Sequence, residues 1–182
     1  MHFKIETIKT TKEFNKVKAL ISESFPRNEQ IPFWFLLWKS KKNFVDLLGV
    51  YADNSLVGFI YLITHKDLTF VLYFAIDNKH RSKGFGSMAI SKLREYCPNN
   101  RIMLNIEAVK KNASNYEQRV KRKKFYINNG FKNASLMIEE NSNNLFEVLV
   151  NNSDVTVAEY ANLLKRFTGR LLYLFFKPKF IR

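Results

Sequence analysis

The sequence has little cysteine, histidine, proline or glycine. A single cysteine, Cys97, excludes an internal disulfide framework. Three scattered histidines, His2, His65 and His80, lack the spacing of a zinc or iron site, so no metal is expected. With four prolines and six glycines, the chain shows no internal repeat and no low-complexity linker. No window approaches the ~18 uninterrupted apolar residues of a membrane span, and the opening MHFKIETIKTTKEF lacks the apolar core of a secretory signal. A soluble, unprocessed protein of the reducing cytoplasm is expected, without stable membrane insertion. Acidic residues are also scarce. Sixteen Asp and Glu against thirty Lys and Arg give +14, a field that attracts phosphates, nucleic acid or anionic lipid without choosing among them.

What is present is apolar mass. The 182 residues suit one ordinary domain, and a hydrophobic share of 46 % with seventeen Phe and eight Tyr supplies enough buried surface to exclude disorder for most of the chain. Thr10 or Thr11 should cap a helix over Lys12 to Ser24, ended by Pro26. Ile31 to Lys39, IPFWFLLWK, reads as a short aromatic helix, either core or the wall of a substrate cavity. From Val45 the pattern becomes three antiparallel strands, VDLLGVYA, LVGFIYLIT and LTFVLYFAI, with turns at Asp53-Asn54 and His65 to Asp67. Gly84 to Tyr96 is helical and stops at Pro98. Arg101 to Val109 alternates as a strand that places Glu107 on its polar side. A charged helix over Asn115 to Asn128 is stopped by Gly130. Strands over Phe131 to Ile138 and Leu145 to Val150 flank the polar loop EENSNN. The rest forms a helix to about Phe167, a stop at Gly169, and the closing segment RLLYLFFKPKFIR as a strand or short apolar piece.

Two of the six glycines lie in Arg81-Ser82-Lys83-Gly84-Phe85-Gly86, where a strand passes into a helix. Glycine lets the backbone approach a ligand closely, and the free amides of a helix start present partial positive charge to an anion. A pyrophosphate suits such a turn, with Arg81, Lys83 and the Ser87 hydroxyl adding charge and a donor. A purely structural turn is the alternative. A Rossmann reading fails on the turn's length and the preceding antiparallel strands, and a Walker A reading on the missing Gly-Lys-Ser/Thr ending.

The segment FAIDNKHRSKGFGSMAISKL resembles the acyl-CoA motif of the GNAT family of N-acetyltransferases: Gln or Arg, two residues, Gly, one residue, then Gly or Ala. KKFYINNGF, Lys123 to Phe131, is similar to the family's aromatic-Tyr segment followed by Gly-Phe. The order of elements to about Val150 also resembles that fold. The resemblance implies an α/β (α+β) fold with a mixed, mostly antiparallel sheet flanked by helices. Its domain would span 1–150, with a helix-plus-strand extension at 151–182 packed on it.

The activity so implied is transfer of acetyl from acetyl-CoA to a primary amine by direct attack through a tetrahedral intermediate. Phe74, Ala75 and Ile76 would pair with the pantetheine arm, the Ile76 N–H facing the thioester carbonyl. Arg81, Ser82, Lys83, Gly84, Phe85, Gly86 and Ser87 would hold the pyrophosphate. Tyr126 matches the tyrosine that protonates the coenzyme thiolate in many members; a core aromatic is the alternative. Glu107 is the candidate base, directly or through water, against the alternative of a surface glutamate paired with a Lys or Arg. Where many members carry a coenzyme-binding asparagine, this chain has Arg119, so that contact is expected to be altered or moved to Asn115. The run Arg119, Lys121, Arg122, Lys123 and Lys124 either faces the 3′-phosphate or is a solvated helix face.

Glu23, Glu29 and Asp46 are candidates for holding a cationic acceptor, and a small amine or amino-acid-like metabolite is the favoured substrate. An amine on RNA such as charged tRNA, or a catalytically inactive acyl-CoA-binding module, are the alternatives. The protein should be a monomer or homodimer. The C-terminal tail is read as a strand covering the core, or as a contact with membrane or a second subunit.

Overall fold

The computed structural model describes residues 2–140 and 144–181, so the centre of the polar EENSNN loop lies outside the described residues. The chain divides into two compact units, Met1–Ile63 with Val71–Pro98 and Thr64–Phe70 with Asn99–Arg182.

In the first unit, α1 (Thr11–Ser24) starts where Thr10 is extended and closes a capping box with Glu13. The Thr10 hydroxyl accepts from the Glu13 amide at 3.3 Å, and the Glu13 carboxylate accepts from the Thr10 amide at 2.9 Å. The Tyr51 hydroxyl also donates to Glu13 at 2.5 Å. That bond, with the Thr10 amide, lowers the Glu13 carboxyl to about 2. Its contribution to stability is therefore present above the ordinary carboxylate pKa and is lost as pH falls toward 2. Thr10→Ala is expected to cost about 1 kcal/mol, or about 2–4 °C in a thermal melt.

The short aromatic helix is α2 (Phe33–Lys39), with Leu36 buried and Trp34 and Trp38 exposed. Three strands follow the expected pattern: β2 (Val45–Ala52), β3 (Ser55–His65), which this unit holds to Ile63, and β4 (Leu68–Ile76), which it holds from Val71. Asp53 (φ +46°) and Asn54 (φ +65°) form the two-residue turn that sets β2 antiparallel to β3 with Ala52 facing Ser55. A further strand, β1 (Phe3–Thr7), pairs antiparallel with β2, Phe3 facing Ala52. It was not anticipated, because a five-residue alternation of Phe3 and Ile5 with Lys4 and Glu6 reads as a polar start until β2 offers it an edge. The helix after the glycine turn is α3 (Phe85–Tyr96), which buries Phe85, Ala89, Ile90 and Leu93.

In the second unit β7 (Asn144–Val150) lies between β5 (Arg101–Glu107) and β6 (Lys132–Glu140), antiparallel to both. Its last five residues are all buried. Between β5 and β6 in sequence runs α4 (Tyr116–Asn128). After β7, α5 (Val157–Thr168) begins at a second capping box, Thr156 with Glu159, and turns Tyr160, Leu163 and Phe167 inward. Within this unit Arg101 joins the helix to the turn before β4 by donating to Asp67 at 2.8 Å and Glu159 at 2.5 Å. The closing segment is a helix and then a strand, α6 (Arg170–Phe176) and β8 (Lys179–Ile181). β8 pairs with β6, Ile181 facing Met137. Gly169 at φ +88° separates α5 from α6 and lets helix resume at once. Both units have the expected class, mostly antiparallel strands flanked by helices.

Candidate active site

The glycine turn takes its shape from residues on both sides of it. At the end of β4 the Asp77 side chain accepts from the Lys79 amide at 3.0 Å and caps a single 3-10 turn, Asn78–His80. Arg81 Nε then donates back to the Ile76 carbonyl at 3.1 Å, which fixes the return of the chain. Ser82 (φ +61°) and Gly84 (φ +80°) are both left-handed, and α3 begins at Phe85. Left-handed residues of this kind curl successive amides toward a common anion, and first-turn amides have no partner within their own helix. Arg81, Ser82, Lys83, Gly84 and Ser87 are exposed. A Cβ built on Gly84 would meet nothing within 4 Å, so the space above the turn is open for a ligand.

Phe85 has another task. It is buried, with its ring 5.7 Å from Phe3 and 6.1 Å from His80. Its side chain therefore anchors the turn, and only its amide is available to an anion. Phe74 is half-buried, and Ala75 and Ile76 are buried.

Gly58 on β3 was not singled out by sequence reasoning, yet it sets the height of this strand end. A Cβ there would lie 2.5 Å from the Ala75 carbonyl oxygen and 2.7 Å from Ile76 Cδ1. Gly58→Ala should push β4 away at Ala75 and Ile76, two of the three residues assigned to the pantetheine arm. We expect a loss of stability of about 1–3 kcal/mol, read by denaturant melts, and weaker acetyl-CoA binding by calorimetry. Only the isolation of this glycine within a strand pattern signals its role.

In the second unit Glu107, the last residue of β5, faces α4. Arg119 Nη2 lies 2.7 Å from its Oε1 and Arg122 Nη1 2.8 Å from its Oε2. The Asn115 amide reaches both oxygens at 3.2 and 3.3 Å. Arg119 also donates through Nε to Asn115 at 2.6 Å and through Nη1 to the Ala108 carbonyl at 2.9 Å. Three of its five N–H groups are thus used within the chain, and a coenzyme contact would draw on the other two. The surface-glutamate alternative describes part of the truth: Glu107 is paired, but its side chain is only 15 % exposed. Lys123 is held by Glu147 at 2.5 Å, so of the basic run only Lys121 and Lys124 are exposed. Arg122 was read only as part of the basic run, although its i+3 spacing from Arg119 puts both guanidiniums on one helix face beside Glu107.

Tyr126 is positioned by the end of α4. Gly130 at φ +76° lets the Phe131 amide donate to the Tyr126 carbonyl at 3.1 Å and the Gly130 amide to the Ile127 carbonyl at 2.9 Å. This double closure brings the residue after the glycine against the one four positions before it. Accordingly, the Phe131 ring sits 5.7 Å from that of Tyr126, with Phe125 at 5.1 Å on another side. The phenol is pushed up to about 12 by burial, partly offset by the Arg122 charge. Gly130→Ala should cost about 1–2 kcal/mol, because the left-handed turn penalises any Cβ.

The acidic acceptor candidates lie on separate elements. Glu23 is exposed on α1, and Asp46 on β2 accepts from the Tyr96 hydroxyl at 3.1 Å. Glu29 sits in a 3-10 turn, Arg27–Glu29, and its carbonyl accepts from the Tyr73 hydroxyl at 2.6 Å. Among the described residues there is no cluster of His, Cys, Asp and Glu suited to a metal, and no helix is long and apolar enough to cross a membrane.

The chain resembles known proteins in family and in fold. The profile of the Acetyltransferase (GNAT) family matches residues 14–119. No curated protein matches the chain in sequence. Among solved structures, a protein from Bacteroides thetaiotaomicron assigned to the GNAT family superposes with TM-score 0.69 at 18 % identity, covering 94 % of this chain and 98 % of that one. The ribosomal-protein-S18-alanine N-acetyltransferase of Escherichia coli gives 0.63 at 12 % identity, over 85 % and 96 % of the two chains. An aminoglycoside 6′-N-acetyltransferase solved with coenzyme A gives 0.64 at 13 %, over 82 % and 96 %. Such low identities establish a shared fold, and the acceptors named differ from one another.

Proposed function

Because the chain belongs to the GNAT family of N-acetyltransferases, we propose that it transfers acetyl from acetyl-CoA to the primary amine of a small, amino-acid-like molecule in the cytoplasm. The observation that carries this reading is the exposed left-handed turn at Ser82 and Gly84, opening onto the first amides of α3. In it the amides of residues 82–87 bind the diphosphate, Arg81 and Lys83 add charge, and Phe74 to Ile76 align the pantetheine arm. The amine nitrogen attacks the thioester carbon, whose oxygen is met by the Ile76 N–H. As the C–S bond breaks, Tyr126 protonates the departing thiolate.

Glu107 takes up the proton that the substrate ammonium loses to become the neutral, attacking amine. Both of its oxygens already carry donors from Arg119, Arg122 and Asn115. The transfer is therefore assigned to an intervening water, with Arg119 and Arg122 holding the carboxylate in place. Glu107→Gln should lower kcat by about 10–100-fold while leaving acetyl-CoA affinity within about threefold, measured by steady-state kinetics and calorimetry.

The direct test is thiol release from acetyl-CoA against separate pools of small amines, peptides and charged tRNA. Amine-dependent release supports the proposal. Tight coenzyme binding with no release from any pool would leave a binding module instead. The +14 charge favours one second reading, an amine carried on RNA. It requires turnover with charged tRNA that collapses at moderate salt, whereas a free amine should be acetylated with little salt dependence.

A further inference from the structure

The outer face of α6 is apolar and uncovered. Leu171 and Leu174 are 78 % and 73 % exposed and Leu172 is 43 % exposed, while Tyr173 between them is buried. A spacing of three puts Leu171 and Leu174 on the same side of the helix, with Tyr173 turned inward as its anchor. The Lys165 ammonium lies 5.2 Å from the Tyr173 ring centroid and ties α6 back to α5. Three large apolar side chains are thus held in water on a fixed support.

Their surroundings are basic. The segment from Arg170 onward contains Arg170, Lys177, Lys179 and Arg182 and no acidic residue. Arg170, Lys177 and Lys179 are exposed, as are Lys165 and Arg166 at the end of α5. One carboxylate meets this segment at Glu139 on β6, 2.8 Å from Lys179. Arg166 approaches His65 Nδ1 at 3.2 Å.

We propose that α6 seats the protein on an anionic phospholipid surface. Leu171, Leu172 and Leu174 enter the boundary between headgroups and acyl chains, and Arg170 and Lys177 lie at the level of the lipid phosphates. The charge selects this occupant. A second copy would bring together two basic rims on chains that each carry +14. Single-stranded nucleic acid would satisfy the cations but gives leucine no stacking partner, since base platforms are aromatic. An anionic bilayer accepts both the leucines and the charge. No described helix is long enough to cross it, so the contact is peripheral and reversible. This contact operates whatever the acyl acceptor.

Flotation of the full-length protein with phosphatidylcholine vesicles, with and without phosphatidylserine, tests it. The partition coefficient should be at least about tenfold higher on the phosphatidylserine vesicles and should fall as salt is raised. Leu171→Ser with Leu174→Ser should lower it by about tenfold or more, with an unchanged thermal melt because both side chains are exposed. Arg170→Gln with Lys177→Gln should erase the preference for phosphatidylserine. Equal partitioning of the leucine variant and the native protein would overturn the proposal. So would failure of the native protein to float with phosphatidylserine, or a dimer in sedimentation velocity that the leucine variant abolishes.

Discussion

Gly84→Val should weaken acetyl-CoA binding by about 100-fold or more, ~2.8 kcal/mol, in a calorimetric titration. Two effects act in the same direction. At φ +80° a β-branched residue is strongly disfavoured, so the turn must distort and its amides lose their common aim. If the turn holds instead, the new side chain occupies the open space above it, where no protein atom lies within 4 Å of a Cβ. The same openness means that the folded core does not resist the substitution. The loss in unfolding free energy should stay near the ~1–2 kcal/mol of a left-handed Cβ. Gly84→Ala separates the two effects, since it carries similar backbone strain with far less volume and should bind between the native protein and the valine variant. An unchanged dissociation constant in Gly84→Val would remove this turn from the coenzyme site.

Tyr126→Phe should reduce kcat by about 10–100-fold and leave the dissociation constant for acetyl-CoA within about threefold. The ring stays packed against Phe125 and Phe131, and the amide of Phe131 still closes the helix on the residue 126 carbonyl, so the fold has little reason to change. The phenol, raised to about 12 by burial, remains protonated throughout the working pH range. It is also a weaker acid than an ordinary thiol near 8.5, so the proton must move as the C–S bond breaks rather than afterwards. The rate should therefore show no alkaline limb from Tyr126 below about pH 11. In the folding equilibrium the raised pKa contributes stability that is complete below the unfolded value of 10 and fades as pH rises through about 12. Equal kcat values in the two proteins would leave Tyr126 a core aromatic and nothing more.

Local signals in the sequence carried far. The cap read at Thr10 or Thr11, the Asp53-Asn54 turn and Gly130 each dictate a backbone geometry that needs no distant partner, and each forms, the cap at Thr10. The strand, glycine and helix around residues 76–87 were legible for the same reason. What escaped depends on partners remote in sequence. β1 exists because β2 has an edge to offer, and the close seat of Ala75 and Ile76 exists because Gly58 lies beneath them. Phe85 counted as a ligand residue by its place in the motif, but Phe3 and His80 draw its ring into the core. The basic run on α4 looked uniform. Only the positions of Glu107 and Glu147 divide it into held and exposed cations. α6 lacked any periodic polar face and so read as strand or short apolar piece, whereas a flanking glycine and an inward tyrosine make it a helix with leucines outside.

Backbone amide NMR during titration with coenzyme A puts the matter most directly. Saturable shifts centred on residues 82–87, absent in Gly84→Val at the same ligand concentration, are what this account predicts. Saturable binding that leaves those amides unmoved would contradict it.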